Sequence, residues 1–112
     1  MKDLTQILAR ICEFRDARDW RQFHTPKDMA ISLMLEAAEV AEIFQWKKDE
    51  ELGSVGEVLG KELADVLYWV VLMAHDFKID LGEAFRKKMD ENEQKYPIES
   101  AKGSAKKYTS LS

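Results

Sequence analysis

Apolar positions along this chain recur at helical spacing, and four helices follow from them. Leu4, Ile7, Leu8, Ile11 and Phe14 form an i, i+3, i+4 stripe behind Asp3, a residue suited to N-cap a helix running to about Ala17. A connector, Arg18 to His24, carries Trp20 and Phe23. Thr25-Pro26-Lys27-Asp28 then opens a second helix, with a hydroxyl at the N-cap and proline at the first helical position, running to about Lys47. After a polar turn over Asp49 to Gly53, Ser54 and Glu57 fit a capping box for a third helix reaching about Lys78. A fourth starts after Asp80, with Glu83 completing its cap, and ends near Tyr96-Pro97. No run of Val, Ile and Thr alternates with polar residues, so strands are not expected. The predicted fold is all-α, an antiparallel four-helix bundle over residues 1–97, with a loosely ordered Lys-, Ser- and Gly-rich tail at 98–112.

The stretch Val66 to Ala74 is apolar on every side, and a helix of that kind needs cover all round. A single domain of 112 residues offers little cover, so the chain is expected to form a homo-oligomer with this helix in the interface. The same stretch is far too short to span a bilayer, and no signal-peptide pattern is present, so no membrane role is expected. A net charge of −4 disfavours sequence-independent nucleic-acid binding, which needs a basic surface. One cysteine, Cys12, allows no internal disulfide and fits a reducing cytoplasm. It reads as a small packing residue rather than a nucleophile.

Four acids break the pattern. Glu36 lies one turn after Leu33 and one turn before Val40, within the apolar face of the second helix; Glu39 sits at its edge, one turn before Ile43. Glu42 rotates toward solvent or a supporting position. On the third helix, Glu62 follows Leu59 and precedes Val66 on the stripe, and Asp65 precedes Trp69 by one turn. Solvated glutamates belong on the opposite face. Four buried carboxylates need protons, basic partners or a metal, and Lys61 lies on another face of its helix. Oxygen donors spaced i, i+3 on two helices suit Mg²⁺ or Mn²⁺. A di-iron centre of the Glu-x-x-His type is excluded, because Arg21 and Leu72 stand three residues before His24 and His75. There is no Walker-type phosphate loop and no Ser-His-Asp or Cys-His constellation.

These motifs, in order, resemble the MazG-like superfamily of all-α nucleoside triphosphate pyrophosphohydrolases, in its dCTP pyrophosphatase-like branch. The resemblance runs from about Arg18 to about Leu111. It rests on Arg18-Asp19-Trp20-Arg21-Gln22-Phe23-His24, on Glu36-x-x-Glu39 with Phe44-Gln45-Trp46, on Glu62-x-x-Asp65, and on Lys88-Met89-Asp90-x-Asn92, Lys95-Tyr96-Pro97 and Gly103-Ser104-Ala105-Lys106-Lys107-Tyr108. It implies hydrolysis of a deoxynucleoside triphosphate to monophosphate and diphosphate, with Mg²⁺ required, by a dimer or a homotetramer that cleans the nucleotide pool. It implies Glu36, Glu39, Glu62 and Asp65 as metal ligands, with one of these or Glu42 handling the attacking water. Lys88, Asn92 and Tyr96 would contact the triphosphate. Trp20, Trp46 and Trp69 would surround base and sugar, with His24 nearby. Ile11 stands where the branch's animal members carry a histidine, and Trp69 where they carry a tyrosine. Both departures concern base and sugar rather than phosphate, so the implied substrate ranges over dCTP, a modified dCTP, or another pyrimidine or damaged deoxynucleotide. The alternative is a non-catalytic helical module that binds nucleotide or protein.

Overall fold

The computed structural model describes residues 3–110; Leu111, where the resemblance ends, lies outside them. All regular structure among the described residues is helical: α1 (Leu4–Ala17), α2 (Pro26–Phe44), α3 (Gly56–Asp76), α4 (Leu81–Lys95) and a short α5 (Ile98–Ala101), with 3₁₀ turns at Arg21–Phe23, Asp49–Ser54 and Tyr108–Ser110. No described helix is long and apolar enough to cross a membrane. The chain divides after Lys78 into two compact units.

Three of the expected caps form. The Asp3 carboxylate accepts from Gln6 N–H at 3.0 Å, Thr25 Oγ1 from Asp28 N–H at 3.2 Å, and the Asp80 carboxylate from Glu83 N–H at 3.0 Å. Each satisfies an amide that the helix leaves without a partner. The fourth does not form. Ser54 ends the 3₁₀ turn, α3 begins at Gly56 after Val55, and no side chain caps it. The preceding turn has taken up the residues that a capping box would use. Helix α2 also stops three residues earlier than its pattern suggests. Gln45 turns extended, and Trp46 takes a left-handed φ of 69°.

In the first unit α2 lies along α3, and α1 packs on α3. The core is Ile11 from α1, Met29 from α2 and Val71, Leu72 and Ala74 from α3. The apolar run of α3 is thus covered on one side. Leu63 and Leu67 point outward, as do Ile31, Met34 and Leu35 of α2. Within this core sits a charge that the periodicity does not reveal. Arg15 is 1% exposed, and its guanidinium donates two hydrogen bonds to Asp76, at 2.8 and 3.0 Å, across 61 residues of chain. The contact fastens the end of α1 to the end of α3. It also holds the Asp76 carboxyl below the usual carboxylate range, by hydrogen bonding and charge that outweigh burial.

The second unit is held differently. Helix α4 buries no residue and carries ion pairs along its surface, from Arg86 to Glu83 and Asp90 and from Lys88 and Lys95 to Glu91. Exposed pairs of this kind contribute little. The expected loose tail is instead folded back. Gly103 turns at φ 77°, and Tyr108 places its ring edge-on to Tyr96 at 6.1 Å, beneath Lys95 Nζ at 5.0 Å. Aromatic and cation–π contacts supply the anchor that polarity alone concealed.

Replacing Arg15 by Met leaves Asp76 part-buried and unpaired. Urea unfolding should show a loss of about 3 kcal/mol, largest at neutral pH. The loss should shrink as the pH falls and protonation neutralises Asp76, because a carboxylate with a depressed pKa stabilises the fold only while ionised.

Candidate active site

Helices α2 and α3 bring their acids together because each carries them beside its packed stripe. Glu36 and Glu62 are half-buried and Asp65 is exposed. One carboxylate oxygen from each of these three lies within 4.8 Å of the others. Glu39 adjoins both Glu36 and Glu62, and the charge of Glu42 reaches Glu62. Buried Oε2 atoms of Glu36 and Glu62 have no hydrogen-bond partner. No cationic side chain pairs with this cluster among the described residues.

Crowded acids hold protons. Burial, then contact with Glu39, then the charges of Glu39, Asp65 and Glu62 push Glu36 up to about 7. Glu62 is also raised, chiefly by its contact with Glu39, then by burial and the surrounding negative charge. Orphaned hard oxygens at this spacing fit a divalent cation, which would replace those protons.

Two of these acids, Glu36 and Asp65, also line a cavity of about 730 Å³. Its remaining wall is largely aromatic: Trp20 and His24 from the connector, Tyr68 and Trp69 from α3, and Phe14 from α1. The rings form a continuous train. Trp20 meets Phe14 at 5.5 Å, Phe14 meets Tyr68 at 6.3 Å, Tyr68 meets Trp69 at 4.9 Å and Trp69 meets His24 at 5.2 Å, each edge to face. Gln6, Ile7, Arg10 and Ile11 complete the wall from α1. Burial, reinforced by the charge of Arg15, lowers the pKa of His24 and favours its neutral ring. Such a site offers flat apolar surfaces to a planar group and hard oxygen ligands beside them.

Of the residues singled out by sequence, the structure gathers Trp20, His24, Trp69, Glu36 and Asp65 at the cavity, with Glu62 in the cluster. Trp46 is not in the cavity wall; it stands 90% exposed just beyond α2. Lys88, Asn92 and Tyr96 belong to the second unit, where Lys88 pairs with Glu91 at 3.7 Å and Asn92 lies 4.0 Å from the sulfur of Met89. Gln6, Arg10, Phe14 and Tyr68 were not anticipated as wall residues. Ile7, Ile11 and Phe14 share one stripe, and a stripe facing a cavity has the same spacing as one facing a core.

Acids on paired helices, opening onto an aromatic cavity, make an all-helical site with a carboxylate centre. Comparison with known proteins makes this specific. The MazG-like family matches residues 31–111, and the chain belongs to that family. It is 43% identical to dCTP pyrophosphatase 1 of Bos taurus over 99% of this chain and 68% of that one. The figures for the Homo sapiens protein of the same name are 43%, 99% and 67%. A pyrophosphatase structure from Archaeoglobus fulgidus superposes with a TM-score of 0.77 at 38% identity, covering 87% of this chain and 94% of that one. The chain is a hydrolase acting on nucleoside triphosphates, a nucleotide pyrophosphohydrolase of MazG-like fold.

The raised pKa of Glu36 has a signed consequence. Folding retains a proton that the unfolded chain releases, so the metal-free protein should lose stability as pH rises from the ordinary carboxylate range through about 7. Thermal melts at pH 5.5 and pH 8 should show this, and Glu36→Gln should flatten the difference. Mg²⁺ should raise the melting temperature more at pH 8 than at pH 5.5, since protons compete with it.

Proposed function

We propose that the chain cleaves a deoxynucleoside triphosphate to the monophosphate and diphosphate, using Mg²⁺ or Mn²⁺ held by Glu36, Glu39, Glu62 and Asp65. The observation that carries this is the sharing of Glu36 and Asp65 between the three-carboxylate cluster and the aromatic cavity. In this reading metal ligands and a surface for a nucleobase share one wall.

The cation, when bound, neutralises phosphate oxygens and lowers the pKa of an attacking water. The protein groups do the rest. Trp20 and Trp69 offer faces to base and sugar, and base–aromatic stacking contributes about 1–3 kcal/mol per base. The water oxygen bonds to phosphorus as the bridging oxygen leaves with diphosphate. A carboxylate not engaged by the cation, Glu42 or a member of the four, accepts the water's proton. Lys88, Asn92 and Tyr96 bind the triphosphate in this reading, Lys88 as a point charge. The substrate we favour is dCTP or a modified pyrimidine deoxynucleotide. Relatives named for dCTP support that choice, as does the aromatic wall of the cavity. The role is sanitation of the cytoplasmic nucleotide pool.

We also propose that the chain works as a homo-oligomer, a dimer or tetramer, in which residues 1–97 form an antiparallel four-helix bundle and 98–112 a tail. Met34 at 61%, Leu35 at 55% and Leu63 at 49% exposure leave apolar side chains on α2 and α3 that a second copy would cover. Trp46, exposed at a left-handed backbone position, would gain cover or substrate there. No role for nucleic acid or membrane is proposed.

Incubation of the protein with each natural and modified dNTP plus Mg²⁺ should release monophosphate and diphosphate. Release of NDP and phosphate would contradict the reaction. Binding without turnover would mark a non-catalytic module. Glu39→Gln and Asp65→Asn should each lower kcat by about a hundredfold or more while circular dichroism stays unchanged; full activity in both would contradict the site assignment.

A further inference from the structure

Helix α1 gives the cavity more than apolar surface. It supplies Gln6, Ile7, Arg10, Ile11 and Phe14, of which only Gln6 and Arg10 carry polar side chains. Arg10 is the one Lys or Arg on the whole wall. Both polar residues are exposed, and no hydrogen bond or ion pair engages either side chain among the described residues. Glu36 and Asp65 line the same cavity, yet neither pairs with Arg10. Gln6, Arg10 and Phe14 also border a groove along the exposed residues Ala9, Glu13 and Ala17, which puts them at the cavity's lip. Arg10 stands one turn before Phe14, whose ring meets Trp20 and Tyr68. Residues four apart share a helix face, so α1 carries this guanidinium beside the ring train. Two other polar atoms of the wall, His24 Nδ1 and Tyr68 Oη, are sealed from solvent and hence from a ligand.

A guanidinium donates from a planar fork and accepts nothing. It pairs best with two acceptors side by side on a base edge. Among the pyrimidines only cytosine offers such a pair, at O2 and N3. Uracil and thymine carry a hydrogen on N3, which opposes an N–H of the fork. Gln6 does not discriminate between these edges, because its amide holds a donor and an acceptor and turns to suit either.

We propose that Arg10 is a specificity-determining residue of the nucleoside pocket: its guanidinium selects cytosine over uracil and thymine by donating to O2 and N3. This rests on the reading of the aromatic cavity as the nucleoside site. It adds a base contact from α1 and leaves the phosphate chemistry to the acids of α2 and α3.

The test uses the full chain with dCTP and dUTP, whose bases differ only along the edge in question. Kinetics with Mg²⁺ give kcat/KM for each triphosphate. Calorimetry with dCMP and dUMP reads the pocket without turnover. The unaltered protein should favour the cytosine compound in both measurements by about tenfold or more. In Arg10→Leu both ratios should fall to near unity. Arg10→Lys keeps the charge but not the fork, and should lose most of the preference as well. The position is exposed, so circular dichroism should be unchanged in both variants. An undiminished cytosine preference in Arg10→Leu would overturn the assignment. Equal losses for dCTP and dUTP that Arg10→Lys restores would also overturn it, and would mark a phosphate contact instead. Cleavage of dCTP and dUTP at equal rates by the unaltered protein would overturn the base readout while leaving the pyrophosphohydrolase reading intact. Failure of the unaltered protein to bind either monophosphate would overturn the nucleoside reading itself, and the role of Arg10 with it.

Discussion

Like charges crowded between two packed helices are the constraint from which the rest of the site follows. Helices α2 and α3 must lie together to bury Met29, Val71 and Leu72, and in doing so they bring the carboxylates of Glu36, Glu62 and Asp65 within 4.8 Å of one another. Apolar packing holds the acids in an arrangement that their charges oppose. In the absence of a cation the cluster relieves the repulsion by keeping protons, as the raised Glu36 and Glu62 show. A divalent ion satisfies the same oxygens without that compromise. In the proposed function proton and metal would compete for one site, and stability, metal affinity and catalysis would be linked through it.

The cavity beside the cluster divides the labour. In the proposed function carboxylates deal with phosphate through a cation, while rings deal with base and sugar. Edge-to-face contacts couple the rings into a single wall, so their placement is collective. Arg15 and Asp76 join the end of α1, which supplies Phe14, to the end of α3, which supplies Tyr68 and Trp69.

Much of this is legible in the sequence, and the exceptions have physical causes. The stripes on α1 to α3 and the caps at Asp3, Thr25 and Asp80 depend on neighbours three or four residues away, so spacing reveals them. The misplaced acids were visible for the same reason: Glu36 and Glu62 interrupt apolar stripes. Arg15 was not visible. Its partner is 61 residues distant, and nothing in the local pattern separates a buried arginine from a solvated one. The cavity was only partly visible, since Phe14 and Tyr68 obey the same periodicity whether they face a core or a ligand. At Ser54 a plausible local signal lost to a neighbouring 3₁₀ turn. At Tyr108 a polar tail concealed an aromatic anchor.

The central claim is that the acids on α2 and α3 exist to hold a cation. Crystals soaked in Mn²⁺ and measured at a wavelength where manganese scatters anomalously would test it most directly. The account predicts an anomalous peak within ligand distance of Glu36, Glu62 and Asp65, about 2 Å from their oxygens, abolished in Asp65→Asn. A saturated crystal with no ion at the cluster, or with manganese bound only elsewhere, would contradict it.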